Sequence, residues 1–335
     1  MQQIQDFEPL KVLADSRRLA ILRLLLSAPA TLSQLGKALD MHPAQVRHHL
    51  KQLEEIGLVE LVATQITRGF VEKYYQATAG AFVITLAVVP ERPQREAIVA
   101  MGSHDPALDL LAQELRQGDN VPDVFTVPVG SLDGLIALRQ GLCRLAGCHL
   151  LDSESGDYNL SYVRHLFPGE VMGLLTLAHR QQGLLVAKGN PYHIQTPVDL
   201  ARPDITFVNR QRGTGTRLWL ERELSRLGVA PQQVRGYEQE VNTHFRVAKA
   251  VATGQADVGL GVMAAARQFD LDFVPLFEER YELVMPVNEY GNPLLQPLLD
   301  YLQTAECRRI INRLSGYSVA RTGEERHVGI MKDEG

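Results

Sequence analysis

Cysteine is scarce. Cys143, Cys148 and Cys307 are the only three in 335 residues, an odd number with no Cys-x-x-Cys spacing. That excludes a disulfide framework and a thiolate zinc site, and leaves buried free thiols. Long apolar runs are missing too: none approaches the ~20 residues of a membrane span, and Met1-Gln-Gln-Ile-Gln5 lacks the layout of a signal peptide. The expectation is a cytoplasmic protein with no membrane partner. A strong charge of one sign is also lacking. The net charge of −5 does not by itself suggest nucleic acid, so local placement of charge must carry that argument. Signatures of catalysis are absent as well. There is no phosphate loop and no His-Glu-x-x-His, and Gly130-Ser-Leu-Asp-Gly134 is not a nucleophile elbow. Ser103-His104-Asp105 has the letters of a triad, but consecutive residues cannot line up through successive hydrogen bonds. No catalytic residue, metal ligand or cofactor is expected, and the chain reads as a non-enzyme.

What is present is ordinary globular composition, 45% hydrophobic and 22% charged, at a length that suits two or three domains. In the first eighty residues, Asp15 or Ser16 caps a helix over 17–27 with an apolar face of Leu19, Ile21, Leu22, Leu25 and Leu26. Thr31 caps a second over 32–39, a turn at Asp40-Met41-His42 follows, and Pro43 opens a third that ends at Gly57. Strand-like runs over 58–64 and 70–76 then flank Gln65-Ile-Thr-Arg-Gly69.

That order, with Leu13-Ala-Asp-Ser-Arg-Arg-Leu-Ala-Ile-Leu22, Leu32-Ser-Gln-Leu-Gly-Lys-Ala-Leu39 and Gln45-Val-Arg-His-His-Leu-Lys-Gln-Leu53, resembles the ArsR-type winged helix-turn-helix family. The resemblance implies an α+β winged helix-turn-helix domain over 1–79 that binds a double-stranded DNA operator, and a homodimer to match paired half-sites. It makes the helix from Pro43 the recognition helix. Gln45, Arg47, His48 and Lys51 would face the major groove or its phosphates, and Arg68 at the wing tip the backbone or minor groove. Metal-sensing members of this family carry a cysteine pair on the helix before the turn. Here that helix has none, so the signal must come from elsewhere.

Residues 80–96, with Pro90-Glu-Arg-Pro93 at their centre, read as a linker. Beyond it strands alternate with helices: a strand near 98–101, a helix over 106–115, a strand over 124–129, a helix over 132–142 and a strand near 145–150. Further on, a strand over 204–208 leads through Asn209-Arg-Gln-Arg-Gly-Thr-Gly-Thr-Arg217 to a helix over 218–227. A strand, a glycine-containing turn and a helix start leave backbone N–H groups pointing outward, and the helix dipole favours an anion there. The bland alternative is an ordinary capped helix with its arginines in water.

Met101-Gly-Ser-His-Asp-Pro-Ala-Leu108, Val129-Gly-Ser-Leu-Asp-Gly-Leu135, Gly147-Cys-His-Leu-Leu-Asp152, 207–217 and Ala252-Thr-Gly-Gln-Ala-Asp-Val-Gly-Leu-Gly261 occur in an order similar to the type II periplasmic binding protein-like effector domain, above all its molybdate/tungstate-binding group. The resemblance implies a two-lobed α/β domain over 97–318, with a C-terminal tail over 319–335. Two crossing strands would form the hinge. The effector would be a small oxyanion, molybdate or tungstate first, with phosphate, sulfate or a small organic acid as the alternative. An enzyme acting on a small anionic substrate is the remaining alternative. By this resemblance Ser103 and Ser131 would bind from one lobe, and Thr214, Gly215 and Thr216 from the other; the chargeable His104, His149, Arg210 and Arg217 depart from the molybdate proteins and complete the candidate ligand set. Asp152, Tyr158, Asn159, Tyr237, Glu240 and His244 form a second rank of candidates.

Overall fold

A computed structural model describes residues 2–4, 7–67, 70–80, 82–84, 96–117, 122–152 and 154–329. The chain divides into two compact units, Met1–Val88 and Val89–Gly335.

The first unit runs β1 (Gln2–Ile4), α1 (Phe7–Leu13), α2 (Ser16–Ser27), α3 (Leu32–Leu39), α4 (Pro43–Glu55), β2 (Val59–Thr67), β3 (Phe70–Ala77) and β4 (Phe82–Ile84). Asp15, not Ser16, caps α2, its carboxylate accepting from the N–H of Arg17 and Arg18. Thr31 and Gln34 close a capping box on α3, and Pro43 opens α4. The α3–α4 turn depends on Gly36, because a Cβ there would lie 2.7 Å from the Met41 carbonyl oxygen. Ile21, Leu25, Leu35, Val46 and Leu53 make a dry core under this turn. β2 and β3 pair as an antiparallel hairpin; the expected wing contact Arg68 lies outside the described residues. Part of the stretch read as linker is structured, since β4 pairs in parallel with β1 and Phe82 packs on the core.

The second unit runs β5 (Ala97–Gly102), α5 (Pro106–Leu115), β6 (Asp123–Pro128), α6 (Ser131–Arg139), β7 (Leu145–Cys148), α7 (Leu160–Leu166), β8 (Met172–Val186), β9 (Phe207–Arg210), α8 (Gly215–Arg226), β10 (Glu240–Val241), α9 (His244–Ala252), β11 (Val258–Val262), α10 (Met263–Gln268), β12 (Asp272–Pro286), α11 (Gln296–Gln303), α12 (Ala305–Ile311), β13 (Tyr317–Ser318) and β14 (Glu325–Val328). One sheet has the order β10-β9-β11-β8-β12-β7-β5-β6. Its two ends are parallel, β7-β5-β6 at one and β10-β9-β11 at the other. The 15-residue strands β8 and β12 run antiparallel between them and belong to both. Each parallel end with its helices is a lobe, and β8 with β12 is the connection. Buried cysteine needs no partner here: Cys143, Cys148 and Cys307 are free thiols in apolar surroundings. The expected tail does not hang free. Glu325–Val328 pairs antiparallel with β8, and Arg326 holds Asp157 and the buried Glu282.

Candidate functional site

The chemistry begins on the connecting strands. Arg180 and Gln182 of β8 share one face by the two-residue period of a strand, and the register sets Glu279 of β12 opposite Arg180. All three are essentially dry. Glu279 Oε1 accepts from Arg180 Nε at 2.7 Å and Gln182 Nε2 at 2.6 Å, while Oε2 lies 2.8 Å from His149 Nδ1. Arg180 Nη1 is also paired with Asp105, whose other oxygen caps α5 and which accepts from Tyr317 Oη at 2.9 Å. Both carboxylates thus have their lone pairs occupied by protein. They hold Arg180 in place and are not free to meet a guest.

Helix starts from both lobes close around this centre. The β5–α5 turn supplies Ser103, His104 and Asp105, and Ser103 Oγ lies 2.8 Å from His149 Nε2. Ser131 is the first residue of α6, fully buried, and accepts from the His149 N–H at 3.3 Å. From the other lobe, Gly215 at the start of α8 abuts His149: a Cβ there would fall 2.6 Å from the ring Nδ1, so only glycine lets the lobes meet. Thr216 accepts from Gln182 at 3.2 Å. The lobes also touch directly, through Leu132 N–H to the Gly213 carbonyl at 3.1 Å and Gln211 Nε2 to the Pro128 carbonyl at 3.3 Å. The cleft is closed.

Arg210, the last residue of β9, is 1% exposed. Its Nη2 donates to the Asn242 carbonyl at 3.0 Å, but Nε and Nη1 are buried with no partner among the described residues. Burial, reinforced by the charge of Arg180, brings its pKa down to about 9, with Glu279 opposing. That shift means on the order of 4–5 kcal/mol held against the charged form. Arg180 goes the other way: Glu279 and Asp105 outweigh its burial and raise it. Burial alone would lift the Glu279 carboxyl, yet His149 and Arg180 hold it at about 2. His244, at the start of α9, is fully buried, and neither ring nitrogen has a partner among the described residues; burial and the nearby guanidinium of Arg210 push its pKa well down. Arg180 Nη2 and His104 Nδ1 likewise have no partner among the described residues. Buried polar atoms without partners are costly, and the unused donors of Arg180 and Arg210 among them make this a place where an anion repairs the deficit.

Ser103, His149 and Glu279 form a hydroxyl–imidazole–carboxylate relay, gathered from three distant segments rather than from Ser103-His104-Asp105. A general base needs a pKa near the working pH. Burial lowers His149, with Arg180 adding to the effect against the pull of Glu279. The relay therefore orients a hydroxyl and is poorly placed to gain a proton.

Seven of the nine expected ligand residues converge here: Ser103, His104, Ser131, His149, Arg210, Gly215 and Thr216. Thr214 borders the site but spends its hydroxyl on its own turn, donating to the Gln211 carbonyl at 2.9 Å and accepting from Arg217 N–H. Arg217 turns away. It pairs with Glu221 at 2.8 Å and with Glu240, and stacks over Tyr237, which removes all four from the ligand centre. Asp152 makes a local loop contact, whereas the Tyr158 hydroxyl donates to the Glu278 carbonyl and the Asn159 amide to Glu282, both on β12. Sequence reasoning missed Arg180, Gln182 and the placement of Glu279. The available signal was a charged and amide pair alternating within the apolar strand Leu174–Val186.

In the first unit, α4 buries Val46, His49, Leu50 and Leu53 and exposes Gln45, Arg47, His48 and Lys51 on one face. Lys51 is only loosely paired with Glu55, at 3.5 Å and in solvent, so its charge is available.

Residues 112–303 match the family described as PBP superfamily domain, and residues 15–60 match the bacterial regulatory protein, arsR family. The uncharacterized protein YvgK of Bacillus subtilis (strain 168) is 36% identical over 226 residues, 68% of this chain and 72% of its own. The tungstate ABC transporter structure from Geobacter sulfurreducens is 18% identical with a TM-score of 0.46, covering 65% of this chain and 98% of that one. An ABC-type phosphate transport receptor from Vibrio cholerae is 17% identical with a TM-score of 0.44, covering 65% and 98%. Likenesses this distant do not bear on the ligand.

Proposed function

The chain belongs to the PBP superfamily domain family as an ArsR-type DNA-binding regulator with a PBP-like effector domain, and on that footing we propose that it senses a small oxyanion in the cleft around Arg180 and Arg210. The observation that carries this reading is Arg210: a fully buried guanidinium with two unpartnered nitrogens and no carboxylate partner among the described residues. Charge-assisted bonds from a bound anion satisfy it, and the contacts come from both lobes at once. A guest that makes them only when the lobes meet favours the closed cleft by its differential affinity. A 100-fold preference corresponds to about 2.7 kcal/mol, enough to bias operator binding.

Molybdate and tungstate stand first by the motifs of the effector half. The guanidinium pair favours phosphate, or a small organic acid, as the second reading, because arginine matches phosphate and carboxylate oxygens geometrically. The regulator acts as a homodimer on a double-stranded operator, with Gln45, Arg47, His48 and Lys51 toward the DNA.

Thermal shift over molybdate, tungstate, sulfate, phosphate and small carboxylates, followed by calorimetry, tests the reading. At least one anion raises the melting temperature of the wild-type chain. Arg210→Met abolishes that rise while increasing ligand-free stability by a few degrees, because it removes an uncompensated buried charge. A panel with no response, or an Arg210→Met protein that binds as well as wild type, defeats the proposal.

A further inference from the structure

Hydrogen-bond polarity around the cleft is more selective than its charge. An ionised Glu279 can only accept, so its Oε2 fixes the hydrogen of His149 on Nδ1, 2.8 Å away. Nε2 of the neutral ring is then a lone pair, and Ser103 Oγ, 2.8 Å from it, commits its one hydrogen there. Ser103 was expected among the residues that bind the anion. The relay makes it an acceptor.

The same carboxylate decides the amide of Gln182. The atom 2.6 Å from Glu279 Oε1 must be nitrogen, which leaves Gln182 Oε1 buried with no partner among the described residues. The unused donors of Arg180 and Arg210 belong to the same buried cluster. A guest that only accepts hydrogen bonds satisfies the arginines and leaves the acceptors orphaned, which costs roughly ten- to a hundredfold in affinity for one buried group.

We propose that the cleft is built for an anion that itself carries an O–H, such as hydrogen phosphate or a hydroxy acid, and discriminates against oxyanions that are acceptors all round. This rests on the anion-sensing reading and reverses the order its motifs suggest, setting phosphate or a hydroxy acid ahead of molybdate and tungstate. At pH 7.5 phosphate keeps a hydrogen, whereas sulfate, molybdate and tungstate keep none; glycolate carries a hydroxyl that acetate lacks. The two pairs therefore separate a protonated oxyanion from a hydroxy acid as the source of the donor.

Calorimetry on the full chain compares phosphate with sulfate, molybdate and tungstate, and glycolate with acetate. The hydrogen-bearing member of at least one set binds about tenfold or more tightly than its bare counterparts. Gln182→Met, which removes the orphan acceptor, narrows that ratio several-fold. Ser103→Ala lowers phosphate or glycolate affinity more than sulfate or molybdate affinity, because the Ser103 hydroxyl can accept a hydrogen but has none to offer the bare oxyanions. Tighter binding of the bare oxyanions overturns the inference and leaves the anion reading standing, as does a Ser103→Ala protein that loses sulfate or molybdate as strongly as phosphate. If no probe binds, the anion reading itself fails, and the inference with it.

Discussion

Two histidines and a glutamate set how the site responds to acid. Burial holds His149 and His244 below the ordinary histidine value of 6.5, so the unfolded chain takes up protons that the native cleft refuses. Their contribution is fully present above about pH 6.5 and is lost as pH falls below it. Glu279 runs in the same direction, since its pKa is about 2 in the fold against 4.5 in the open chain; its stabilisation is lost below about pH 4.5. The melting temperature of the wild type accordingly falls between pH 7 and pH 5, and His244→Gln flattens that fall. A scan in which the two proteins decline in parallel would remove His244 from this account. Such residues were only half legible. Ser103, Ser131 and Gly215 could be found because turns before helices advertise themselves in the sequence. Glu279 could not be told from Glu278, because which of two adjacent glutamates faces inward is fixed by its pairing across the sheet with Arg180.

At the scale of elements, helix signals were the most readable. Thr31, Pro43 and Pro106 each mark a helix start by a local mechanism, and α3 and α5 begin and end where their residues imply. Elements whose ends are set by tertiary contact shifted. The strand expected over 204–208 is β9 at Phe207–Arg210, so Arg210 ends a buried strand instead of lying in an open turn. β14 escaped notice because its sequence, Glu-Arg-His-Val, carries almost no apolar signal; its partner β8 and the buried Glu282 recruit it. The exposed face of α4 supports its own prediction. Arg47→Ala and Lys51→Ala each weaken operator binding and reduce the slope of log affinity against log salt by about one. Gel shifts or anisotropy across 50–300 mM salt measure this, and an unchanged slope in both variants would discard α4 as the DNA-facing helix.

For the whole molecule, a sensing cleft and a DNA-reading head on one chain are bound by linkage. If the anion alters operator affinity by some factor, operator DNA must alter anion affinity by the same factor. Calorimetric anion titrations with and without a saturating operator duplex should therefore match the change in operator affinity with and without anion. Equal anion affinity in the two titrations would mean that this site does not control the head. Neither the sign nor the size of that factor is written in either sequence segment, because coupling is a difference between two states of the assembled chain.

Among the described residues, β8 and β12 are the strands that both lobes share, and they also carry Arg180, Gln182 and Glu279. A lever is usually separate from the scale pan, but here the fulcrum does the weighing. Any substitution that retunes what the cleft prefers therefore alters the stiffness of its pivot too. Ligand preference and mechanical compliance in this chain must drift together.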